Sequence, residues 1–160
     1  YRLARLTVFL RPELDPQGIG YQVNQALLAV GSGGLFGQGL GHSRQKFSFL
    51  PEVISDSIFA IIAEEIGFFF TIAFLALIAL VIWRVLRNAM AATDEFERLV
   101  LIGIASWWGV QSFVNIGAMV GALPITGLPL LFVSYGGTSM VVALAAAGIV
   151  VNLSRHQAKL

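Results

Sequence analysis

Four carboxylates mark the stretch FLPEVISDSIFAIIAEEIGFFF, residues 49 to 70: Glu52, Asp56, Glu64 and Glu65 stand just before a run that stays apolar far downstream. A carboxylate can accept a proton as a general base, pair with a cation or cap a helix. Helical geometry, with about 1.5 Å of rise and about 100° of turn per residue, sorts these options. Asp56 and Glu64 are eight positions apart, hence about 12 Å along the axis and about 80° around it. That is too far for a hydrolase carboxyl pair, and Glu65 points roughly half a turn away from Asp56. Any partner of Asp56 therefore comes from elsewhere. Glu64 and Glu65, two to three turns into the helix, are read with Glu52 as structural acidic residues, since ionised groups at membrane depth face protein or water. For Asp56 two readings stay open. It is the N-cap of the helix that PEVISD leads into, or it is a carboxylate at the membrane surface whose partial desolvation suits it to accept a proton.

The basic residues of HSRQK, His42, Arg44 and Lys46, can hold a phosphate or form a solvated loop. Just before them GSGGLFGQGLG has six glycines in eleven residues, without the strand or the spacing of a dinucleotide or P-loop fingerprint. It is either a bend between two interfacial segments or a backbone that something bulky approaches closely.

The elements that position these residues belong to a membrane protein. Of 160 residues, 57% are hydrophobic and 12% charged, outside the balance of a soluble domain. A net charge of +1 with no block of like charge gives no footprint for nucleic acid. The absence of cysteine leaves the redox compartment open. The start, YRLARLTVFLRPELDP, has neither an initiator Met nor a signal-peptide layout, so upstream sequence is expected.

Crossing ~30 Å of hydrocarbon takes about 20 helical residues. Ile66 to Trp83 is an uncharged run of 18 residues, and Leu99 to Ser154 contains 56 without Asp, Glu, Lys or Arg. Pro124, Gly127, Pro129, Gly136 and Gly137 break the longer run into a hairpin. The sequence thus predicts an all-α chain with membrane helices at 55–86, 98–122 and 132–153, a loop at 87–97, a hairpin over 123–138 and a tail at 154–160. Arg84, Arg87, Arg98, Arg155 and Lys159 place the 87–97 loop and the tail in the cytoplasm, and residues 1–54 and the hairpin outside. His42 and His156 then lie on opposite sides, so no metal cluster or His-based triad is assembled by them. Within residues 1–54, Ile19, Val23, Ala26, Leu27 and Val30 share one face, as in an interfacial amphipathic helix.

DPQGIGYQVNQALLAVGSGGLFGQGLGHSRQKFSFLPEVISDSIFAIIAEEIGF, followed by NIGAMVGALPITGLPLLFVSYGGTSM, resembles the carboxy-terminal part of the SEDS (shape, elongation, division and sporulation) family of bacteria. GLGHSRQKFSFLPE is closer to its cell-division (FtsW-like) branch than to the elongation (RodA-like) branch. The resemblance implies a ten-helix protein of the bacterial cytoplasmic membrane whose last three helices are those found here, with residues 1–54 as its large extracytoplasmic loop. It implies polymerisation of lipid II into peptidoglycan glycan strands, alongside a class B penicillin-binding transpeptidase, other division or elongation proteins, and membrane lipids. The family's essential aspartate, in its PE..TDFIF motif, falls on Asp56, which would be the general base at an extracytoplasmic site. Ser55 stands where Thr is usual, Ser57 where Phe is usual and Leu131 where the hairpin often has Pro. Arg44 and Lys46 become candidates for the leaving pyrophosphate, with Gln25, Ser134 and Thr138 as further substrate contacts. A divalent cation, Mg or Mn, is compatible with shielding that pyrophosphate, but the sequence shows no dedicated ligand set. The rival reading is a flippase or transporter of lipid-linked precursors, for which Glu64 and Glu65 would matter more than Asp56. A non-catalytic scaffold for division partners is a third.

Overall fold

The computed structural model describes residues 9, 18–39, 41, 57–134 and 136–157. Among them four helices follow one another: α1 (Ile19–Ser32), α2 (Ile58–Ala91), α3 (Glu95–Met119) and α4 (Gly137–Gln157). The fold is all-α, and α2, α3 and α4 are long and apolar enough to cross a membrane. At 14 residues, α1 is about 21 Å long and too short to do so.

The helix limits differ from the sequence expectation for physical reasons. α2 runs on to Ala91, leaving only Ala92, Thr93 and Asp94 outside helices where a loop over 87–97 was expected. RVLRNAMA is polar but contains no Gly or Pro, and polarity alone does not end a helix. Val85 and Ala89 are buried in this stretch against α3 and α4, and Asn88 donates to the Ser154 hydroxyl of α4 at 2.7 Å. α3 starts earlier than expected, at Glu95, behind Asp94 as N-cap and with Glu95 and Glu97 in its first turn, where the helix dipole favours acids. It ends at Met119 because Gly121, at φ 72, turns the chain while the Gly117 carbonyl accepts the N–H groups of Ala122 and Leu123. α4 begins at Gly137 rather than 132, since residues 124–130 are irregular, with Gly127 at φ 73, and 131–134 form a turn.

α1 buries Val23, Ala26 and Ala29, together with Gly20 and Gly33. The expected face included Leu27, which is instead 41% exposed and reaches over Gly121. The buried line is made of small residues because the α1 backbone lies close to that of α2, and a leucine there would hold the helices apart. Val23, Ala26 and Ala29 form one core with Phe59 and Ala60 of α2, Ala118 and Met119 of α3, and Ile125 and Leu130 of the hairpin. A second core joins the far half of α2 to α3 and α4 through Val85, Leu101, Trp108, Ala143 and Ala146. The hairpin and the mouth of α2 therefore share the first core, at the end of the bundle where α1 sits.

Candidate functional site

α2 is a broken helix. Its 34 residues would reach about 51 Å, well beyond a ~30 Å hydrocarbon layer. Gly67, at φ 80 and ψ 179, divides it, a conformation open essentially to glycine alone. The first part carries Phe59, Ala60, Ile61, Ala63 and Glu64, all buried. The second, beginning with exposed Phe68, Phe69 and Phe70, is the length of one crossing.

A break in a membrane helix frees backbone groups that need partners. The glycine-rich segment after α1 supplies them. Gln38 and Gly39 donate their N–H groups to the carbonyls of Glu64 and Glu65 at 3.0 and 3.1 Å, while Phe68 and Phe69 donate to the carbonyls of Gly34 and Leu35 at 2.9 and 3.4 Å. The two backbones lie so close that a Cβ on Gly33 would strike the Ala63 carbonyl, one on Gly37 the Glu65 carbonyl, and one on Gly67 the Gly37 nitrogen. The sequence left these glycines as a bend or as room for a ligand. What they make room for is the backbone of α2.

Glu64 lies inside this joint. It is 1% exposed and accepts a hydrogen bond from the Ser32 hydroxyl at 3.3 Å. Glu65 is half-buried, and its Oε1 is buried with no hydrogen-bond partner among the described residues. α2 starts at Ser57, its N-cap, which is fully buried and offers its carbonyl to the N–H groups of Ala60 and Ile61. Asp56, the general base expected from the sequence, lies outside the described residues, as do Arg44, Lys46 and Glu52. By number Asp56 is the residue just before Ser57, whose side chain makes no cap bond to the helix.

The other candidates separate. Gln25 is half-buried on α1 and Thr138 exposed in the first turn of α4. Ser134 is buried, and its hydroxyl accepts the N–H of Leu130 at 2.7 Å, closing the hairpin turn. Sequence reasoning passed over Gln111 and Asn115, which sit four apart on α3 and donate to the carbonyls of Pro129 and Leu128 at 2.8 and 2.6 Å. They satisfy two carbonyls of the irregular hairpin backbone, one of the ways non-helical backbone is tolerated at membrane depth. Two amides one turn apart inside an uncharged run were the available signal. At the hairpin turn Phe132 is held at φ 62 with its ring edge-on to Trp108, centroids 5.2 Å apart. Beside this pair an apolar cavity of about 130 Å³ opens between Phe74, Ile78, Ser112 and Leu131. Among the described residues no group of three or more His, Asp or Glu side chains is arranged to hold a metal.

Residues 1–159 match the family model described as cell cycle protein, FtsW/RodA/SpoVE. Stage V sporulation protein E of Bacillus subtilis is 47% identical over 156 residues, which are 98% of this chain and 43% of that protein. A probable peptidoglycan glycosyltransferase FtsW of Trichlorobacter lovleyi is 45% identical over 154 residues, 96% of this chain and 40% of its own length. A solved chain from work on the structural coordination of polymerization and crosslinking by a peptidoglycan synthase complex superposes with a TM-score of 0.73 at 30% identity, covering 96% of this chain and 41% of that one. The chain thus spans about two fifths of the length of the relatives it matches. With residues 1–159 matched by the family model and the fold shared with a solved relative, the chain belongs to the FtsW/RodA/SpoVE family of cell cycle proteins.

Proposed function

We infer that this chain is the carboxy-terminal part of a peptidoglycan glycosyltransferase, in which Asp56 is the general base for polymerising lipid II. The observation that carries the reading is the mouth of α2. Ser57, the residue that follows Asp56 in the chain, is the N-cap, and it opens a buried, tightly held helix segment. The relatives named as probable peptidoglycan glycosyltransferases support the reaction class.

Lipid II joins a polar sugar and pyrophosphate head to a long lipid, so its transfer chemistry belongs where the outer leaflet meets water. An acceptor sugar hydroxyl attacks the anomeric carbon of another glycan's lipid-linked sugar. Asp56 takes the hydroxyl proton as the new glycosidic bond forms, and undecaprenyl pyrophosphate leaves with the electrons of the broken C–O bond. Arg44 and Lys46 are suited to the charge of that leaving group. The hairpin 123–138, held by Gln111 and Asn115 and packed in the same core as Phe59 and Ala60, forms one wall beside the helix mouth. The distribution of arginines supports an extracytoplasmic orientation for this end, and the family resemblance implies a ten-helix protein of the bacterial cytoplasmic membrane with its other helices upstream. A class B penicillin-binding transpeptidase is the partner that would crosslink the product.

The transporter reading expects discontinuous helices and a functional intramembrane acid. α2 is discontinuous, yet its freed backbone groups are bound by residues 34–39 and Glu64 is held by Ser32, which makes both parts of a joint. The deciding experiment reconstitutes the full-length protein with its transpeptidase in vesicles containing labelled lipid II. Glycan chains on a gel support the enzyme. Movement of lipid II between leaflets with no chain formation would sink it.

A further inference from the structure

α1 makes a polar contact at the mouth of α2 that the proposed chemistry does not use. The Gln22 side chain donates its Nε2 hydrogen to the Ser57 hydroxyl at 3.4 Å. A serine at an N-cap ordinarily turns its hydroxyl back to the second or third N–H of its own helix. Ser57 makes no such side-chain cap bond. Its hydroxyl faces α1 instead, in a position with no exposure to solvent, so the helix forgoes a common source of end stability to hold a neighbour.

Ten residues further along α1 the Ser32 hydroxyl, whose hydrogen also points to the Ala29 carbonyl at 2.9 Å, lies 3.3 Å from Glu64 Oε1 near the other end of the same α2 segment. Just past this second contact the backbones are so close that Gly33 has no room for a Cβ against the Ala63 carbonyl. Packing alone would be served by an apolar residue at position 22. A half-buried glutamine there instead reaches the N-cap of α2.

We propose that Gln22 is a positioning residue for the glycosyl transfer: it anchors Ser57, the residue bonded directly to Asp56 in the chain, and so restrains the start of α2. This rests on the reading of Asp56 as general base. Displacing a reacting group by about 1 Å can cost on the order of 10²-fold in rate, so loosening one anchor is expected to lower turnover by about tenfold.

The test uses full-length protein reconstituted with its transpeptidase and labelled lipid II. It compares Gln22→Leu, Ser57→Ala, the double variant and Asp56→Asn with the native sequence. Turnover is counted per folded molecule from the thermal unfolding midpoint and the monodisperse fraction. Both single changes should lower kcat by about tenfold while leaving the apparent KM for lipid II within about twofold. The double should be no worse than the more severe single, because one contact is removed only once. A purely structural role would lower the folded fraction and leave kcat per folded molecule unchanged. That result, or losses that multiply in the double variant, overturns the proposal. Near-native activity in Asp56→Asn would instead mean that the reading of Asp56 has failed. A large loss in Asp56→Asn beside an unchanged Gln22→Leu would mean that the positioning role alone is wrong.

Discussion

Replacing Gly67 with alanine should be among the most damaging single-methyl changes in this chain. At φ 80 and ψ 179 a residue with a Cβ carries a strain of about 1–3 kcal/mol. The new methyl also has nowhere to go, since it would meet the Gly37 nitrogen, the Phe36 carbonyl carbon and the Leu35 oxygen. Relieving that overlap means moving residues 34–39 off α2, where four backbone hydrogen bonds cross the break. Each is worth about 0.5–1.5 kcal/mol net, so losing two adds about 1–3 kcal/mol. The expected cost is about 2–6 kcal/mol in all. Gly103→Ala supplies the control: no other part of the chain lies within 4 Å of its would-be Cβ, and alanine is favoured over glycine in a helix by up to about 1 kcal/mol. Thermal unfolding of both variants in the same detergent, followed by the monodisperse fraction after heating, should show Gly67→Ala at least about 5 °C below the native protein and Gly103→Ala level with it or above. Equal midpoints for the two would refute the idea that residues 34–39 bind the break.

Three further outcomes are expected. Asn115→Leu leaves the Leu128 carbonyl without its donor and should cost about 1–3 kcal/mol; an unchanged unfolding midpoint would remove the amide from any role in holding the hairpin. Single cysteines replacing Ser32 and Gly127 should react with an impermeant thiol reagent added outside cells while one replacing Ala92 does not, and labelling at position 92 would reverse the topology. Arg44→Gln combined with Lys46→Gln should raise the apparent KM for lipid II with folding intact, equivalent to about 1–3 kcal/mol, whereas unchanged kinetics would return both to a solvated loop.

The membrane class and the presence of three crossings were legible because they rest on uncharged runs, which the bilayer enforces strongly. Helix ends were less legible. RNAMA, just past the expected helix end at 86, reads as the start of a polar loop, and only the burial of Ala89 and the Asn88 contact with Ser154 explain why it continues α2. The break at Gly67 was invisible for a related reason. AEEIGFFF contains a glycine of the kind helices often tolerate, and what makes it a break is a segment some 30 residues earlier whose own glycines seemed to signal only a turn. Asp56, Glu64 and Glu65 stood out as charges at the edge of hydrocarbon, and sequence could ask what they do. The geometry adds that Ser57 holds the cap and that Glu64 is tied to Ser32. Gln22, by contrast, looked like one of several polar residues on an amphipathic helix, because a contact 35 positions away leaves no local trace.

The central claim is that a single carboxylate at the mouth of α2 carries the proton transfer. Asp56→Asn is the direct measurement of it, because Asn caps a helix about as well as Asp and the amide keeps nearly the same size. In full-length protein with its transpeptidase and labelled lipid II, Asp56→Asn should fold and bind its partner normally yet lose about 10²-fold or more in glycan polymerisation, while Glu64→Gln loses chiefly stability. Glycan chains made by Asp56→Asn at a near-native rate would contradict the account.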